Sequence, residues 1–358
     1  MKKWFSKAFN VPILEKSRMP WVDYLRGIAI LLVAYRHVLI GMERSGSAVP
    51  EALVTANMIF YSFRMPLFFI LSGIFINGSI AKRPLQQLVY IKFENILYPY
   101  LVWSFIQVTL QIALAGFTNS ERGLMDYTLI LYQPRGLDQF WYLPALFNAT
   151  VIYLLIKVKL KVGHWVQLLI GMAFYFLSPY FKQVSMMSDW MEFYIFFALG
   201  DAISATFFQP RTQRVLKSPL SLLAITPVFI ATQLYYLKIM ETIGQLEFLV
   251  VALIGCLGMF ILAFRMQRWN ILSFLRILGY HSLYIYVMHV MVAAFFRLLL
   301  TKVLGVTHPV ILLLSCIAAG VVIPVVVYNL LIKDNWGWFL FSPSRGKAGP
   351  VEAKTATS

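Results

Sequence analysis

Two residues of the first apolar stretch have the types and the spacing to carry chemistry. Arg26 and His37 lie in the run Trp21-Val-Asp-Tyr-Leu-Arg-Gly-Ile-Ala-Ile-Leu-Leu-Val-Ala-Tyr-Arg-His37. On a helix turning ~100° and rising ~1.5 Å per residue, eleven positions put them within about 20° of one face and about 16 Å apart along the axis. A guanidinium at one end of such a stripe and an imidazole at the other suit a long, narrow substrate with an anionic head and a reactive tip. A coenzyme A thioester has that form: phosphates for Arg26, a pantetheine arm about 15 to 20 Å long on standard bond geometry, and a thioester delivered to His37. Imidazole ionises near neutrality and can act there as general base or as nucleophile. A single membrane histidine is more often a hydrogen-bonded structural group, and the aligned arginine is what makes this one a catalytic candidate. Asp23, three residues before Arg26, is placed for an ordinary ion pair at the interface as well as for a site.

Other ionisable residues fall where hydrocarbon makes them costly. Arg36 adjoins His37, and Arg64 sits in the middle of the second apolar stretch. Both could hold a developing oxyanion or donor phosphates, and Asp201 is a candidate acid to neutralise them. In the ninth stretch Ser282, Tyr286 and His289 follow spacings of four and three, which share one helical face and could line a cavity or simply pack. Trp141 and Tyr142 fit either an aromatic belt or a stacking platform for a sugar ring. Arg297 is expected to reach the headgroups from a helix end, and His281 and His308 look peripheral. Cys256 and Cys316 both fall in apolar runs, and no metal-ligand spacing occurs.

These side chains need a membrane to hold them. With 60% hydrophobic and 13% charged residues and a mean hydropathy of +0.73, the chain has too little polar surface for a water-soluble fold. The reading is all-α and polytopic, about ten transmembrane helices near 21–42, 53–77, 93–115, 138–156, 163–181, 189–208, 218–237, 246–264, 278–300 and 309–332. Lysines and arginines alternate strictly between loops: Lys2, Lys3, Lys7, Lys16 and Arg18 before the first helix; Lys82, Arg83 and Lys92 after the second; Lys157, Lys159 and Lys161 after the fourth. Arg211, Arg214 and Lys217 follow the sixth, Arg265, Arg268 and Arg276 the eighth, and Lys333, Arg345, Lys347 and Lys354 the tenth. The positive-inside rule then predicts both termini in the cytoplasm. In this setting the formal charge of +16 reflects that asymmetry and excludes nucleic acid as a partner. The expected organisation is one transmembrane domain over 1–341, with its longest outer loop at 116–137, and a flexible cytoplasmic tail over 342–358. No internal repeat or matched pair of broken helices points to a secondary transporter.

At this level of detail the sequence resembles the acyltransferase-3 family of bacterial membrane O-acetyltransferases. Arg26 and His37 match its Arg-x10-His signature within Leu-Arg-Gly-Ile-Ala. The runs Pro66 to Gly73 (Pro-Leu-Phe-Phe-Ile-Leu-Ser-Gly), Phe140 to Leu146 (Phe-Trp-Tyr-Leu-Pro-Ala-Leu) and Leu-Gly-Tyr-His-Ser-Leu-Tyr-Ile-Tyr-Val-Met-His ending at His289 follow in order. Within that family the chain is similar to the fucose 4-O-acetylase-like branch. The resemblance implies a multi-pass protein of the bacterial inner membrane that takes acetyl-CoA as donor substrate and holds no permanent cofactor. Its expected acceptor is a hydroxyl of a sugar in an exopolysaccharide, O-antigen or lipid-linked glycan, with polysaccharide assembly machinery as a further partner. It also makes Ser72 a cavity-lining candidate. Where the family has arginines ahead of the third helix this chain has Lys92 and Asn95; Lys92 can hold a phosphate as a point charge and Asn95 cannot. Some relatives append a hydrolase-like domain, so this chain is expected either to finish the transfer itself or to hand the acyl group on. The competing class is a non-catalytic transporter or flippase of a lipid-linked sugar, which would move its cargo unchanged.

Overall fold

In hydrocarbon a backbone must satisfy its own polar groups, and a helix does so within one segment. Each of the ten apolar stretches is accordingly helical in the computed structural model, which describes residues 2–16, 19–115, 122–333 and 336–344, and no strand occurs among the described residues. Among the described residues eight helices are long and apolar enough to span: α1 (Pro20–Arg44), α2 (Glu51–Ile80), α3 (Leu85–Ala113), α4 (Pro134–Lys159), and, later in the chain, Pro219–Ile239, Gln245–Trp269, Ser282–Val303 and Pro309–Ile332. Between the two groups lie α5 (His164–Leu177), only 14 residues long, and α6 (Ser185–Phe207), which bends by 109° into Pro210–Leu216. Asp189, Glu192 and Asp201 make α6 the most acidic of the ten, which accounts for its weaker apolar signal. The last four spans are α7 (Pro219–Ile239), α8 (Gln245–Trp269), α10 (Ser282–Val303) and α11 (Pro309–Ile332), with the short α9 (Phe274–Tyr280) ahead of α10. Residues 116–121 of the expected outer loop, and all of the expected tail after Ser344, lie outside the described residues.

The chain forms two compact units, Met1–Pro66 with Pro210–Asn335, and Leu67–Gln209 with the segment from Trp336 onward. In the first unit α9 lies against the start of α1, main chain on main chain. A methyl built on Gly27 would land on the carbonyl of Leu275, and one built on Gly279 would land on the carbonyl of Asp23. The Tyr24 hydroxyl donates to the Ile271 carbonyl at 2.7 Å, and the Trp21 ring packs on Phe264 at 4.9 Å between centroids. His281 is not peripheral. It is fully buried, with Nδ1 at 2.7 Å from the Ile277 carbonyl and Nε2 at 2.9 Å from the Asn329 amide. Since a carbonyl only accepts, Nδ1 carries the proton and Nε2 accepts, so His281 is a structural tie between α10 and α11.

The second unit is tied by a similar crossing, in which Gly73 of α2 and Gly200 of α6 bring two helices together too closely for a side chain at either position. Beside it the Asp201 carboxylate is buried and accepts from the Tyr153 hydroxyl and from Lys157 Nζ, each at 2.5 Å. Removing the acid by Asp201→Ala leaves the ammonium of Lys157, itself only a fifth exposed, without its counter-charge. We expect a loss of about 3 kcal/mol, the lower end for a broken buried pair, measured by thermal unfolding in detergent; Asp201→Asn should lose nearly as much. At the other end of the chain Trp103 Nε1 donates to the Leu340 carbonyl at 3.1 Å and the Ser344 hydroxyl to Glu94 at 3.2 Å. The first residues of the expected tail are thus anchored.

Candidate functional site

The first unit contains Arg26, Arg36, His37, Arg64, Ser282, Tyr286 and His289. Helix α1 runs unbroken for 25 residues, from Pro20 at its first position to Arg44. The axial separation of about 16 Å expected for Arg26 and His37 therefore holds. Both side chains are half-buried. Arg26 makes no ion pair or hydrogen bond with any described residue, so the interfacial pair with Asp23 does not form.

His37 meets His289. The ring centroids are 5.3 Å apart and the planes are inclined at 63°, edge toward face. The His289 side chain is fully buried, and its Nδ1 lies 3.0 Å from the Ile285 carbonyl and 2.8 Å from the Tyr286 carbonyl on its own helix. Carbonyl oxygens can only accept, so the proton sits on Nδ1, and in the neutral ring Nε2 carries the lone pair. That Nε2 is buried with no hydrogen-bond partner among the described residues. Tyr286 is buried with its ring centroid 6.2 Å from that of His289, while Ser282 is the half-buried first residue of α10. Of the stripe read from the sequence, His289 is thus the member that reaches α1.

Arg64 is 2% exposed. Its Nη1 donates to the Leu32 carbonyl at 2.7 Å and to Asn57 Oδ1 at 3.2 Å, and Nη2 has no partner among the described residues. The ring of Tyr61 lies 6.0 Å from this guanidinium and 5.2 Å from that of Arg36. Asp201, the candidate acid, belongs to the second unit, where its carboxylate accepts from Lys157 and Tyr153. Neutral dipoles and an aromatic face hold Arg64 instead, which leaves its charge uncompensated and able to attract an anion. Asn57 escaped the reading from sequence, although seven residues before Arg64 is two helical turns, nearly one face. Arg297 does not reach toward headgroups as expected: it is buried, at 6% exposure, because Gly41 of α1 offers bare backbone beside it.

The remaining candidates belong to the second unit. Ser72 donates its hydroxyl to the Phe68 carbonyl of its own helix at 2.8 Å. Lys92 is half-buried and directly precedes a π-helical turn, Phe93–Leu97, in which Asn95 donates to the Ile91 carbonyl at 2.7 Å. One face of the Trp141 indole carries the guanidinium of Arg135 at 4.3 Å. Arg135 Nε donates to Asp189 at 2.5 Å, with Glu192 at 3.6 Å, so only part of the indole is left for a sugar. Tyr142 is buried against Phe68 and Phe69. No group of three or more His, Cys, Asp or Glu among the described residues could hold a metal ion.

A paired imidazole at the end of a helix that starts with an unengaged arginine can move a proton at a carbonyl delivered along that helix, which is the chemistry of acyl transfer. The profile of the acyltransferase-3 family, an acyltransferase domain, matches residues 19–329, and so takes in every one of these groups. Comparison with curated proteins and with solved structures returned no match. The chain belongs to the acyltransferase-3 family and is a membrane acyltransferase.

Proposed function

We propose that the chain transfers an acetyl group from acetyl-CoA to a hydroxyl of a sugar in an exopolysaccharide, O-antigen or lipid-linked glycan. It would do so as a fucose 4-O-acetylase-like protein of the bacterial inner membrane, with both termini and the basic loops in the cytoplasm and residues 1–341 as the catalytic domain. The observation that carries this reading is the contact between His37 and His289, eleven residues along an unbroken helix from Arg26. Arg26 takes a donor phosphate at the cytoplasmic end, and the pantetheine arm lies along α1 toward His37. The acceptor hydroxyl attacks the thioester carbon, and His37 removes its proton. As the tetrahedral intermediate collapses, the carbon–sulfur bond breaks and the thiolate recovers that proton from the imidazolium. In the two-step version the His37 lone pair attacks the thioester carbon and coenzyme A leaves as thiolate; the hydroxyl then attacks the acyl-imidazole, the C–N bond breaks, and the hydroxyl proton passes to the thiolate. Arg64 and Arg36 offset the negative charge that develops on oxygen. His289 packs its ring against that of His37 and orients it. All groups in this scheme belong to the first unit.

Membrane vesicles given labelled acetyl-CoA, together with mass analysis of the surface glycan from cells with and without the chain, test the reading. One acetyl unit gained per repeat supports it; unchanged mass with altered export would establish the carrier instead. Loss of orientation by His289→Gln should lower kcat by about a hundredfold and leave the KM for acetyl-CoA nearly unchanged, because this group lies beyond the donor's anionic head. A fall in donor affinity with kcat preserved would remove His289 from this role.

A further inference from the structure

Arg297 is a buried cation that the scheme above does not use. Its guanidinium forms no ion pair or hydrogen bond with any described residue, and Nη1 is buried without a partner. The other buried arginines of this unit differ: Arg64 is held by Leu32 and Asn57, Arg265 donates to the Lys217 carbonyl, and Arg276 donates to the Leu14 carbonyl. The surroundings offer no acid. Val38, Leu39 and Met42 of α1, Leu300 of α10, and Leu312 and Cys316 of α11 form an apolar cluster at this level. Leaving a guanidinium in such a place is costly unless something neutralises it.

Its position gives the charge a direction. Nη1 would lie 3.3 Å from a methyl at Gly41, so the guanidinium rests against α1 one turn past His37. Helix α10 carries it two turns past His289, parallel to α1. Going along α1 the order is therefore Arg26, then the imidazole pair, then Arg297, which lies about 6 Å beyond His37 by helical rise. Arg26 and Arg297 are on opposite sides of the reacting centre, and the donor approaches from the side of Arg26.

We infer that Arg297 is an acceptor-side anion site, binding a carboxylate or phosphate carried by the same sugar residue or its neighbour as the hydroxyl to be acylated. The acceptor is then an acidic or phosphorylated glycan. One turn of helix is a gap that a single sugar ring bridges, and a guanidinium fork pairs with either oxyanion through two hydrogen bonds. The neutral Ala293 and Cys316 beside it and the missing side chain at Gly41 leave no competing anion. This inference rests on the acyl-transfer reading, and its test separates the two.

Thermal unfolding of the purified full chain is followed with glucose, glucuronic acid or glucose 1-phosphate, for the native protein, Arg297→Lys and Arg297→Gln. The charged sugars should raise the native melting temperature, glucose should not, and the shift should vanish in Arg297→Gln while Arg297→Lys keeps part of it. Whichever charged sugar acts more strongly tells carboxylate from phosphate. Equal shifts in the native protein and in both variants, or no shift with either charged sugar, would overturn the site. Turnover with acetyl-CoA then gives the second readout: the preference in kcat/KM for a charged over a neutral acceptor should fall about tenfold to a hundredfold in Arg297→Gln. Anion-dependent shifts without acylation of any acceptor would leave the site standing and sink the glycan-acylation reading.

Discussion

His37→Ala protein inserts and folds but transfers acyl groups at a rate about 10² to 10⁴ lower than the native chain, the range for loss of a positioned acid–base group. His37 is half-buried, makes no hydrogen bond to a described residue, and meets the His289 ring. Truncation therefore leaves no backbone group stranded, and the loss reads chemistry. His289 does not take over, because the two carbonyls on its Nδ1–H fix the ring to α10 and keep its Nε2 away from the place the His37 ring occupied. Residues that act as a unit are not additive, so the double variant lacking both imidazoles should be no slower than His37→Ala alone. Labelled acetyl-CoA supplied without acceptor distinguishes the two versions: acetyl retained on His37 supports the two-step route, and an unlabelled protein that still acylates added glycan supports the base. An undiminished rate in folded His37→Ala rejects both.

Gly279→Val destroys the fold of the first unit. Ordinary overpacking costs about 1–3 kcal/mol because side chains turn aside. Here the obstructing atoms are the Asp23 carbonyl and the Gly27 backbone nitrogen, which belong to a continuous helix and cannot turn. The loss should exceed that range, and Gly27→Val, which meets Leu275 from the other side, should match it. Gly78, with nothing within 4 Å of a built methyl, is the control, and Gly78→Ala should unfold at or slightly above the native temperature, since alanine is the better helix former. Yield and thermal unfolding of the detergent-solubilised proteins decide it; a Gly279→Val protein as stable as the Gly78 control means that α9 does not rest on α1 in this way.

These two sites show where sequence is informative. Apolar length reports helices directly, and all ten stretches are helical, though α5 is short and α6 carries three acids, so eight meet the requirements for spanning. The Arg26–His37 stripe was legible because both residues share one helix and helical geometry is regular. Partners on other helices were not. Nothing in the spacing of His289 says that it meets His37, and nothing in the spacing of Asp201 says that Tyr153 and Lys157 donate to it. Arg297 was misjudged for a similar reason: three residues from the end of an apolar stretch, an arginine ordinarily extends to water, and only the glycine across from it provides room to stay inside. The motif glycines Gly27 and Gly279 stood within the runs that resembled the family, and the crossing they permit emerged only with the backbone in place.

The first unit is assembled from both ends of the polypeptide, since the chain leaves it after Pro66 and returns at Pro210. A ribosome adds about 5–20 residues per second, so His289 emerges roughly 10 to 50 s after His37. For most of that interval α1 waits in the bilayer with Arg26, Arg36 and His37 already inserted and neither α9 nor α10 yet made. Nascent chains stalled before Phe274 should therefore be recognisably immature, more exposed to quality-control proteases than chains stalled after Val303, and only the latter can contain a working centre.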